Sequence, residues 1–452
     1  MNSKNSQPEA VRNYITKVCE HVGAKDVHPD IELEMSSHLD ERIADMRSQG
    51  VQEEEAVSQA IALMGDASQI GRQLHAAHKP VMEWSLAAIV AILAGIGLIG
   101  MYAVQLAYSG EEIYEVLLFN KSFYTVIGIL LLSIICFTNY QKLRRYSWHL
   151  YCATVMIMLL VSQYGISVNG SKRWFAFSSF SIDVYAFSPY LFLIAIAGLL
   201  TSGDAKSQGL LKNLIYLCKM VLLYALVPML LYVRGSDFHD FAIYNVGLIL
   251  LLVFAARAYK VALACIAAIA AAGISIVLIS HQLRSFISYR YFSDSFYTMD
   301  DPGGTDYLRV SILEAIRSAG MWGQGFGTPN HTLPYLQSDS IFTYLIYSLG
   351  WVFGLGMVAL AILLISKVTS VASKLKDPYA KALTIGLFSV IGFQFVWSIF
   401  MSVGLLPMLS IGMPFISYGG TNGIIELMAM GMILSVYRRR NMVSRLHQKA
   451  QL

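Results

Sequence analysis

A succession of long apolar runs that begins at Met82 is the feature that most constrains the fold of this 452-residue chain. Ten runs are near or above the roughly 20 residues that an α-helix needs to cross a bilayer. Helices satisfy their own backbone polar groups in lipid, so runs of this length predict a bundle of membrane-spanning helices. The predicted spans cover about 82–108, 117–139, 146–166, 184–202, 210–233, 241–257, 260–280, 340–366, 380–403 and 420–437.

The composition agrees with this interpretation and excludes an ordinary soluble enzyme. Hydrophobic residues make up 56% of the chain and charged residues 14%, and the mean hydropathy is +0.55. Soluble domains contain about 25% charged residues. The predicted fold class is therefore an all-α polytopic membrane protein with ten transmembrane helices, whose membrane domain covers residues 82–440.

Clusters of Lys and Arg set the predicted orientation, because they follow every second span and cytoplasmic loops are enriched in these residues. Both termini are therefore predicted to be cytoplasmic, with a large external loop at about 281–339 between spans seven and eight. A loop of this length is usually functional or disordered. The basic residues that decide the orientation are Lys142, Arg144, Arg145, Lys206, Lys212, Arg257, Lys260, Lys367, Lys374, Lys376, Lys381, Arg438, Arg439 and Arg440.

The first 80 residues differ from the rest of the chain. Residues 1–79 contain 13 acidic and 8 basic residues, and three short amphipathic helices are predicted within 8–78. One helical stripe consists of apolar residues spaced by three and four: Ile31, Met35, Leu39, Ile43 and Met46. The sequence predicts a soluble, acidic, cytoplasmic helical domain, which is either a docking module for a regulator or a solvated cap. A basic cytoplasmic tail at 441–452 ends the chain.

Two polar motifs face outward in this topology. The first, NGSKRWF at 169–175, contains Arg173 and Trp174. An Arg–Trp pair at a membrane edge is ordinarily an interfacial anchor, but a guanidinium also suits a lipid diphosphate. The second is Asp339 in LPYLQSDSIF at 333–342. Asp339 fits either a helix N-cap or a functional carboxylate at the external mouth of the bundle.

The third polar segment, PFISYGGTN from Pro414 to Asn422, precedes the last span. Its proline and two glycines interrupt helical backbone, which is tolerated at membrane depth where it is buried or lines a cavity. Small residues also let helices approach closely, so a packing seam and a cavity wall both remain open. Glu426 follows inside the last span, and an ionisable residue there suggests a functional site.

Together these segments resemble the SEDS family, the FtsW, RodA and SpoVE group of cell-shape, division and sporulation proteins. The resemblance covers about residues 82–445 and is carried by GLLPMLSIGMPFISYGGTN at 404–422, the NGxxRW loop, the DPxG segment at 301–304 and the LPxxxxD element that ends at Asp339. Residues 1–80 lie outside it. Their HLD…G…EEA…A…LMGD run resembles the HAAS prefix domain of some Firmicute membrane proteins.

The SEDS resemblance implies a peptidoglycan glycosyltransferase in a bacterial cytoplasmic membrane that polymerises lipid II for cell shape, division or sporulation. Asp339 occupies the position of the family's catalytic Asp and would act as a general base in an inverting transfer. The negative charge of the diphosphate leaving group would be stabilised by Arg173 or by a divalent cation, Mg²⁺ or Mn²⁺. The matching substrate-binding positions are Arg173, Trp174, Gln394, Pro414, Ser417, Tyr418, Gly419 and Gly420.

The chain also departs from the family pattern. The fourth span has no charge between 184 and 203, where the family has a Glu and a Lys. Tyr347 and Ser348 replace two glutamates, and Ser398 replaces an Asn on the ninth span. Two other functions therefore stay open: a flippase for a lipid-linked precursor that uses Glu426, and a non-catalytic scaffold for a transpeptidase.

The resemblance further implies a class B penicillin-binding transpeptidase as partner. Neither nucleic acid nor a protein-held metal is predicted. The five cysteines are scattered without metal-ligand spacing: Cys19, Cys136, Cys152, Cys218 and Cys265.

Overall fold

A computed structural model describes most of the chain, namely residues 8–77, 79–168, 171–177, 180–202, 210–235, 238–279, 305–406 and 409–441. Parts of several sequence predictions lie outside these residues: 281–304 of the predicted external loop with its DPxG segment, Asn169 and Gly170 of the NGSKRWF motif, Lys206, residues 407–408 of the segment at 404–422, and the tail from 442 onward. The chain divides into two compact units, one of Met1–Glu83 with Tyr437–Leu452 and one of Trp84–Val436. Each unit is described by itself.

The N-terminal unit contains four α-helices within 8–77, where the sequence predicted three. Gly65, at φ +90°, ends the third helix, and the Asp66 carboxylate then accepts the Gln69 N–H at 2.9 Å and starts a fourth. A turn of 3₁₀ helix, Lys25–Val27, precedes the second helix. The helices are α1 Glu9–Glu20, α2 His28–Ser48, α3 Glu53–Met64 and α4 Ala67–Ala77.

The predicted apolar stripe on α2 forms part of a separate hydrophobic core in this unit. Ile31, Met35, Leu39 and Ile43 are all buried, and Met46 packs against the same cluster. Residues of α1 and α3 complete the core, among them Val11, Val18, Val57 and Ala60. The spacing of three and four residues therefore identified the buried face of α2 correctly.

Each of the ten predicted membrane segments contains helix. Fifteen α-helices are found in the described residues from Trp84 onward: α5 Trp84–Ala107, α6 Glu112–Glu115, α7 Leu117–Phe137, α8 Gln141–Arg145, α9 Ser147–Tyr164, α10 Val184–Ser202, α11 Leu210–Val221, α12 Val227–Arg234, α13 Phe238–Leu250, α14 Tyr259–Ile279, α15 Thr305–Ser318, α16 Ile341–Leu349, α17 Trp351–Lys374, α18 Pro378–Ser402 and α19 Gly420–Arg438. Five-residue π-helical turns, Leu222–Leu226 and Leu251–Ala255, follow α11 and α13.

The helices α10, α13 and α18 pack against one another at the centre of the bundle. In contrast, α7 exposes a face of large apolar residues such as Ile129, Leu130 and Ile134, as expected of a helix in contact with lipid. Seven described segments are long and apolar enough to cross a membrane: Trp84–Ala107, Leu117–Phe137, Val184–Thr201, Lys212–Arg234, Trp351–Lys374, Pro378–Ser402 and Gly420–Arg438. Two apolar helices are shorter, His239–Ala255 and Tyr259–Ser275.

The predicted span at 340–366 is wrong in its bounds, because Gly350 divides it into α16 and α17. Gly350 has φ +90°, and a Cβ there would collide with the Met321 carbonyl. The Trp351 N–H donates to the Gly320 carbonyl at 3.1 Å. The segment around 320–323 thus packs against the break. The run that is long and apolar enough to cross a membrane is Trp351–Lys374.

A small antiparallel sheet adds to the predicted all-α fold. Its strands are β1 Ile166–Val168, β2 Ser171–Phe177 and β3 Phe180–Asp183, in the order β1-β2-β3. The segment SKRWFAF is rich in aromatic residues that favour strands, and its side chains alternate between faces. Arg173 is consequently buried while Lys172 is exposed.

Candidate functional site

Seven of the residues predicted from the sequence line one cavity in the membrane unit. The cavity encloses about 620 Å³, part of which is open solvent. Its walls come from β2, the first turns of α10, α13 and α19, the middle of α18, and the segments before α16 and α19. The predicted residues that line it are Arg173, Asp339, Gln394, Ser417, Tyr418, Gly419 and Glu426.

Three predicted residues do not line the cavity. The ring of Trp174 lies 5.1 Å from the Arg173 guanidinium carbon, where a cation–π contact supports the arginine. Pro414 is buried. Gly420 packs against Tyr124, whose ring a Cβ at this position would meet at 2.7 Å. These residues support neighbours of the cavity.

Asp339 lies in a series of turns, the Asp339 loop (residues 333–340), just before α16. Its hydrophobic residues Leu333 and Leu336 are buried and anchor the loop. The N-cap position of α16 is Ser340, and no side chain caps that helix. The alternative reading of Asp339 as an N-cap is therefore wrong. Its carboxyl group is half-buried and faces the cavity.

The environment of Asp339 favours its protonated form. Burial raises the pKa of this carboxyl group to about 6, because removal from water penalises the charged form. Electrostatic interactions with His239 and Arg173 and hydrogen bonds from Ser338 and Ser410 lower the pKa but do not cancel the effect of burial. A carboxyl group with this pKa can exchange a proton near neutral pH.

Arg173 is buried and bound to two carboxylates, unlike an exposed interfacial anchor. Its Nε lies 2.9 Å from Asp183 Oδ2, and its Nη2 lies 2.9 Å from Asp240 Oδ2. Asp183 also accepts the Ala186 N–H at 3.2 Å and so holds the start of α10. Arg173 Nη1 lies 2.7 Å from His239 Nε2, and an arginine can only donate. This group of four residues, the Arg173 cluster, joins β2, β3 and α13.

The PFISYGGTN motif is both a packing seam and a cavity wall. Its irregular part, the wall segment (residues 413–420), passes so close to α5 that a Cβ on Gly97 would lie 2.6 Å from the Phe415 carbonyl oxygen. Phe415 itself adopts a left-handed φ of +66°. On the other side, Ser417, Tyr418 and Gly419 line the cavity. The two alternatives left open by the residue types are therefore both correct.

The wall segment is hydrogen-bonded directly to the Asp339 loop. The Tyr418 N–H donates to the Gln337 carbonyl at 2.6 Å. The Ser417 hydroxyl donates to the Ser338 carbonyl at 2.9 Å. These bonds fix the backbone immediately before Asp339, so the position of the carboxylate depends on the wall.

Two further residues that line the cavity each have a polar atom without a partner among the described residues. These atoms are the Tyr190 hydroxyl oxygen and the Gln394 Oε1 atom, both shielded from solvent. Buried polar atoms are normally hydrogen-bonded, so the cavity suits a ligand or water molecules that carry hydroxyl or amide groups. Tyr190 lies on the fourth predicted span, which lacks the Glu and the Lys of the family pattern.

Sequence reasoning missed several residues of this site. Asp183, His239 and Asp240 become neighbours of Arg173 only through the fold, and no local pattern marks them. Lys121 carried a signal, since it is a charged residue inside the second predicted span, where charges are costly and usually functional.

The described residues contain no group of three His, Cys, Asp or Glu side chains that could hold a metal ion. Mg²⁺ is commonly bound by one or two carboxylates together with substrate phosphates. A divalent cation would therefore have to enter together with a diphosphate.

The fold and the site define a class of protein: a polytopic membrane protein with a polar cavity that contains a half-buried carboxyl group. The model of a cell cycle protein family that comprises FtsW, RodA and SpoVE matches residues 83–442. Because this match covers well over half of the chain, the protein belongs to the FtsW/RodA/SpoVE family.

Two relatives illustrate the distance within this family. The chain is 25% identical over 362 residues to stage V sporulation protein E of Bacillus subtilis, a match that covers 78% of this chain and 96% of the relative. It is 27% identical over 305 residues to a protein of Halothiobacillus neapolitanus named "Probable peptidoglycan glycosyltransferase FtsW", with coverage of 66% and 71%.

Solved structures share the fold. The chain matches one described under "Structural coordination of polymerization and crosslinking by a peptidoglycan synthase complex" with a TM-score of 0.63 and 21% identity. It matches the rod shape determining protein RodA of Thermus thermophilus with a TM-score of 0.57 and 19% identity. Both matches cover 80% of this chain and 98% of the other.

Proposed function

We propose that this protein is an inverting glycosyltransferase that polymerises lipid II into glycan strands at the outer face of the bacterial cytoplasmic membrane. The observation that carries the proposal is Asp339, a half-buried carboxyl group with a raised pKa on the wall of a polar cavity. The names of the relatives support the same chemistry. Asp339 is the proposed catalytic residue.

The proposed step is a displacement at the anomeric carbon of the donor sugar. The Asp339 carboxylate removes the proton from the acceptor hydroxyl as its oxygen forms the new glycosidic bond. The bond between the anomeric carbon and the diphosphate breaks, and its electron pair leaves with undecaprenyl diphosphate. Attack opposite the leaving group inverts the configuration. Tyr190 and Gln394, whose polar atoms lack partners among the described residues, would bind sugar hydroxyl or amide groups.

Arg173 is a less direct candidate for binding the diphosphate than the sequence predicted. Its guanidinium is held by Asp183 and Asp240 at 2.7 and 2.9 Å, so a diphosphate would have to compete with two carboxylates. We assign Arg173 the role of fixing the cavity wall formed by β2 and α13. Its positive charge still acts on the cavity at short range.

The membrane placement and the partners belong to the same proposal. Ten spans with both termini in the cytoplasm would place the Asp339 loop outside, where lipid II is polymerised. A class B penicillin-binding transpeptidase is the proposed partner, consistent with the synthase complex whose fold the chain shares. The N-terminal unit would dock a cytoplasmic or membrane regulator.

The flippase alternative rested on Glu426. In the structure Glu426 Oε2 accepts the Phe415 N–H at 2.7 Å, so the carboxylate has a structural contact that explains its presence inside the last helix. The polymerase proposal is therefore the stronger of the two.

The test is polymerisation of lipid II by the purified full-length protein, alone and with its transpeptidase partner. The proposal expects glycan polymer from the wild type and its loss in Asp339→Asn, whose amide cannot act as a base. Asp45→Asn, on the exposed face of α2, is the matched control and should polymerise normally. If the wild type makes no polymer even with the partner present, the proposal fails, and the scaffold alternative takes its place.

A further inference from the structure

Two buried charges lie on either side of the wall segment. Lys121 on α7 and Glu426 on α19 are each only 5% exposed, and their opposite charges are close enough to interact. Buried ions are costly unless they are paired and hydrogen-bonded. Both residues therefore need a structural or functional reason.

Lys121 binds the wall segment from the side that does not face the large cavity. Its Nζ donates to the Phe415 carbonyl at 2.9 Å and to the Ser417 carbonyl at 2.8 Å. These carbonyls belong to the stretch in which Phe415 has its left-handed conformation, so no helix or strand satisfies them. Lys121 does not line the large cavity. It lines a separate small one, together with Gly419 and Gly423.

Glu426, which lines the cavity, binds the same residue, Phe415. Its Oε2 accepts the Phe415 N–H at 2.7 Å, so both backbone polar groups of Phe415 are bound to a charged side chain. Hydrogen bonds to ionised groups are shorter and about twice as strong as neutral ones. The two charges thus hold one irregular residue against the ends of two helices.

The constraint continues from the wall to the reacting carboxyl group. Ser417, whose carbonyl is bound by Lys121, donates from its hydroxyl to the Ser338 carbonyl. Tyr418 donates from its backbone to Gln337, and its hydroxyl accepts from Asn120, the neighbour of Lys121, at 3.2 Å. An unbroken series of hydrogen bonds therefore joins α7 to the residue that precedes Asp339.

We infer that Lys121 and Glu426 form a clamp that positions Asp339 through the wall segment, with Lys121 acting entirely from outside the cavity. The inference rests on the proposed function for its catalytic consequence, but the clamp itself is a property of the folded protein. Lys121 is a positioning residue, because it reaches neither the cavity nor any reacting atom.

Hydrogen exchange tests the clamp without any activity. In Lys121→Met, a substitution of similar length without charge, the amides of 413–420 and of 333–340 should both exchange faster than in the wild type. The second segment is decisive, since Lys121 does not touch it. Lys142→Met, an exposed lysine on α8, is the matched control and should leave both segments unchanged.

A double variant separates positioning from stability. Lys121→Met leaves the Glu426 charge buried without its counter-charge, which destabilises a protein strongly. Lys121→Met/Glu426→Gln removes both charges and should recover much of the lost thermal stability. If the clamp positions Asp339, rapid exchange at 333–340 persists in this stable double variant. Lys121→Gln, which keeps a neutral donor, should give intermediate exchange and serves if Lys121→Met does not fold.

Kinetics connects the clamp to the reaction. A displacement of about 1 Å at a reacting group can reduce the rate about a hundredfold, so the stable double variant should lose activity on this scale in kcat. Unchanged exchange at 333–340 in Lys121→Met, or wild-type exchange and kcat in the double variant, would overturn the inference. If the wild type makes no polymer, the proposed function fails, whereas the exchange measurements still decide whether the clamp exists.

Discussion

The ionisable groups on two sides of the cavity, in the Arg173 cluster and at Asp339, have opposite electrostatic environments. In the Arg173 cluster, one guanidinium contacts two carboxylates at 2.7–2.9 Å, all with side chains at most 10% exposed. Asp339 has no ion pair among the described residues. Its carboxyl group is held by two serine hydroxyls, and burial raises its pKa to about 6.

This difference distinguishes charged groups that stabilise the fold from a carboxyl group that can take part in a reaction. The charges of the Arg173 cluster compensate one another and hold β2, β3 and α13 together. A desolvated carboxyl group without a cation partner is less stable when ionised and for that reason takes up a proton more readily. Perturbed groups of this kind are typical of functional sites. The comparison therefore predicts that substitutions on the two sides will affect different measurements.

The largest expected effect is on the rate of Asp339→Asn. Loss of a general base costs about 10²–10⁴-fold in rate, while the neutral amide removes a desolvated charge and should leave the thermal unfolding midpoint unchanged or higher. Polymerisation of lipid II and thermal unfolding in the same detergent measure the two effects. Retention of full activity, or a large fall in the unfolding midpoint, would contradict the distinction between the two sides.

Arg173→Met should show the reverse pattern, with stability as the main loss. Removing one partner of a buried ion pair costs about 3–5 kcal/mol, and here both Asp183 and Asp240 would lose their contact with the guanidinium. The measurement is the free energy of unfolding, with Lys172→Met as the control, because the adjacent Lys172 lies on the exposed face of β2. Equal stability of the two variants would show that the Arg173 cluster does not stabilise the fold.

A smaller effect is expected from Gly97→Ala on α5. The new Cβ would lie 2.6 Å from the Phe415 carbonyl oxygen and 3.0 Å from the Ile416 Cα, so the wall segment would have to move. Overpacking of this kind costs about 1–3 kcal/mol, and the displaced wall should also reduce kcat through its bonds to the Asp339 loop.

Gly95→Ala is the matched control for this substitution. It lies on the same helix, and a Cβ there meets nothing within 4 Å. Alanine in a helix is favoured over glycine by roughly 0.5–1 kcal/mol, so this variant should be slightly more stable than the wild type. Equal effects of the two substitutions would mean that close packing of Gly97 against the wall is unimportant.

The sequence predicted the members of the cavity better than their contacts. Asp339 and the wall residues were visible as polar interruptions between apolar runs, whereas Gln394 and the catalytic role of Asp339 came only from the resemblance to the SEDS family. Lys121 could have been found by the rule applied to Glu426, since both are charges inside predicted spans. The partners of Arg173 could not, because Asp183 and Asp240 meet only after β3 and α13 have packed together.

Tertiary contacts also explain the errors in the fold. The apolar run at 340–366 is continuous, so its hydropathy does not reveal the break at Gly350. That break depends on a bond to Gly320, 30 residues away in the chain. The strands β1 and β3 have three and four residues, which is too short for alternation to distinguish them from a loop.

The smallest predicted effect is the pH dependence of the rate, which tests the Asp339 side of the comparison directly. A general base acts in its deprotonated form, so activity is present above the pKa of Asp339 and is lost as the pH falls through it. With a pKa of about 6 in the free protein, kcat/KM should be about tenfold lower at pH 5 than on the plateau above pH 7. A carboxyl group with an ordinary pKa near 3.9 would give a flat profile over this range. The measurement is kcat/KM from pH 5 to 8 for the wild type, with thermal stability followed in parallel. A flat profile would contradict a general-base role for a carboxyl group whose pKa burial has raised, and with it the chemical side of the comparison.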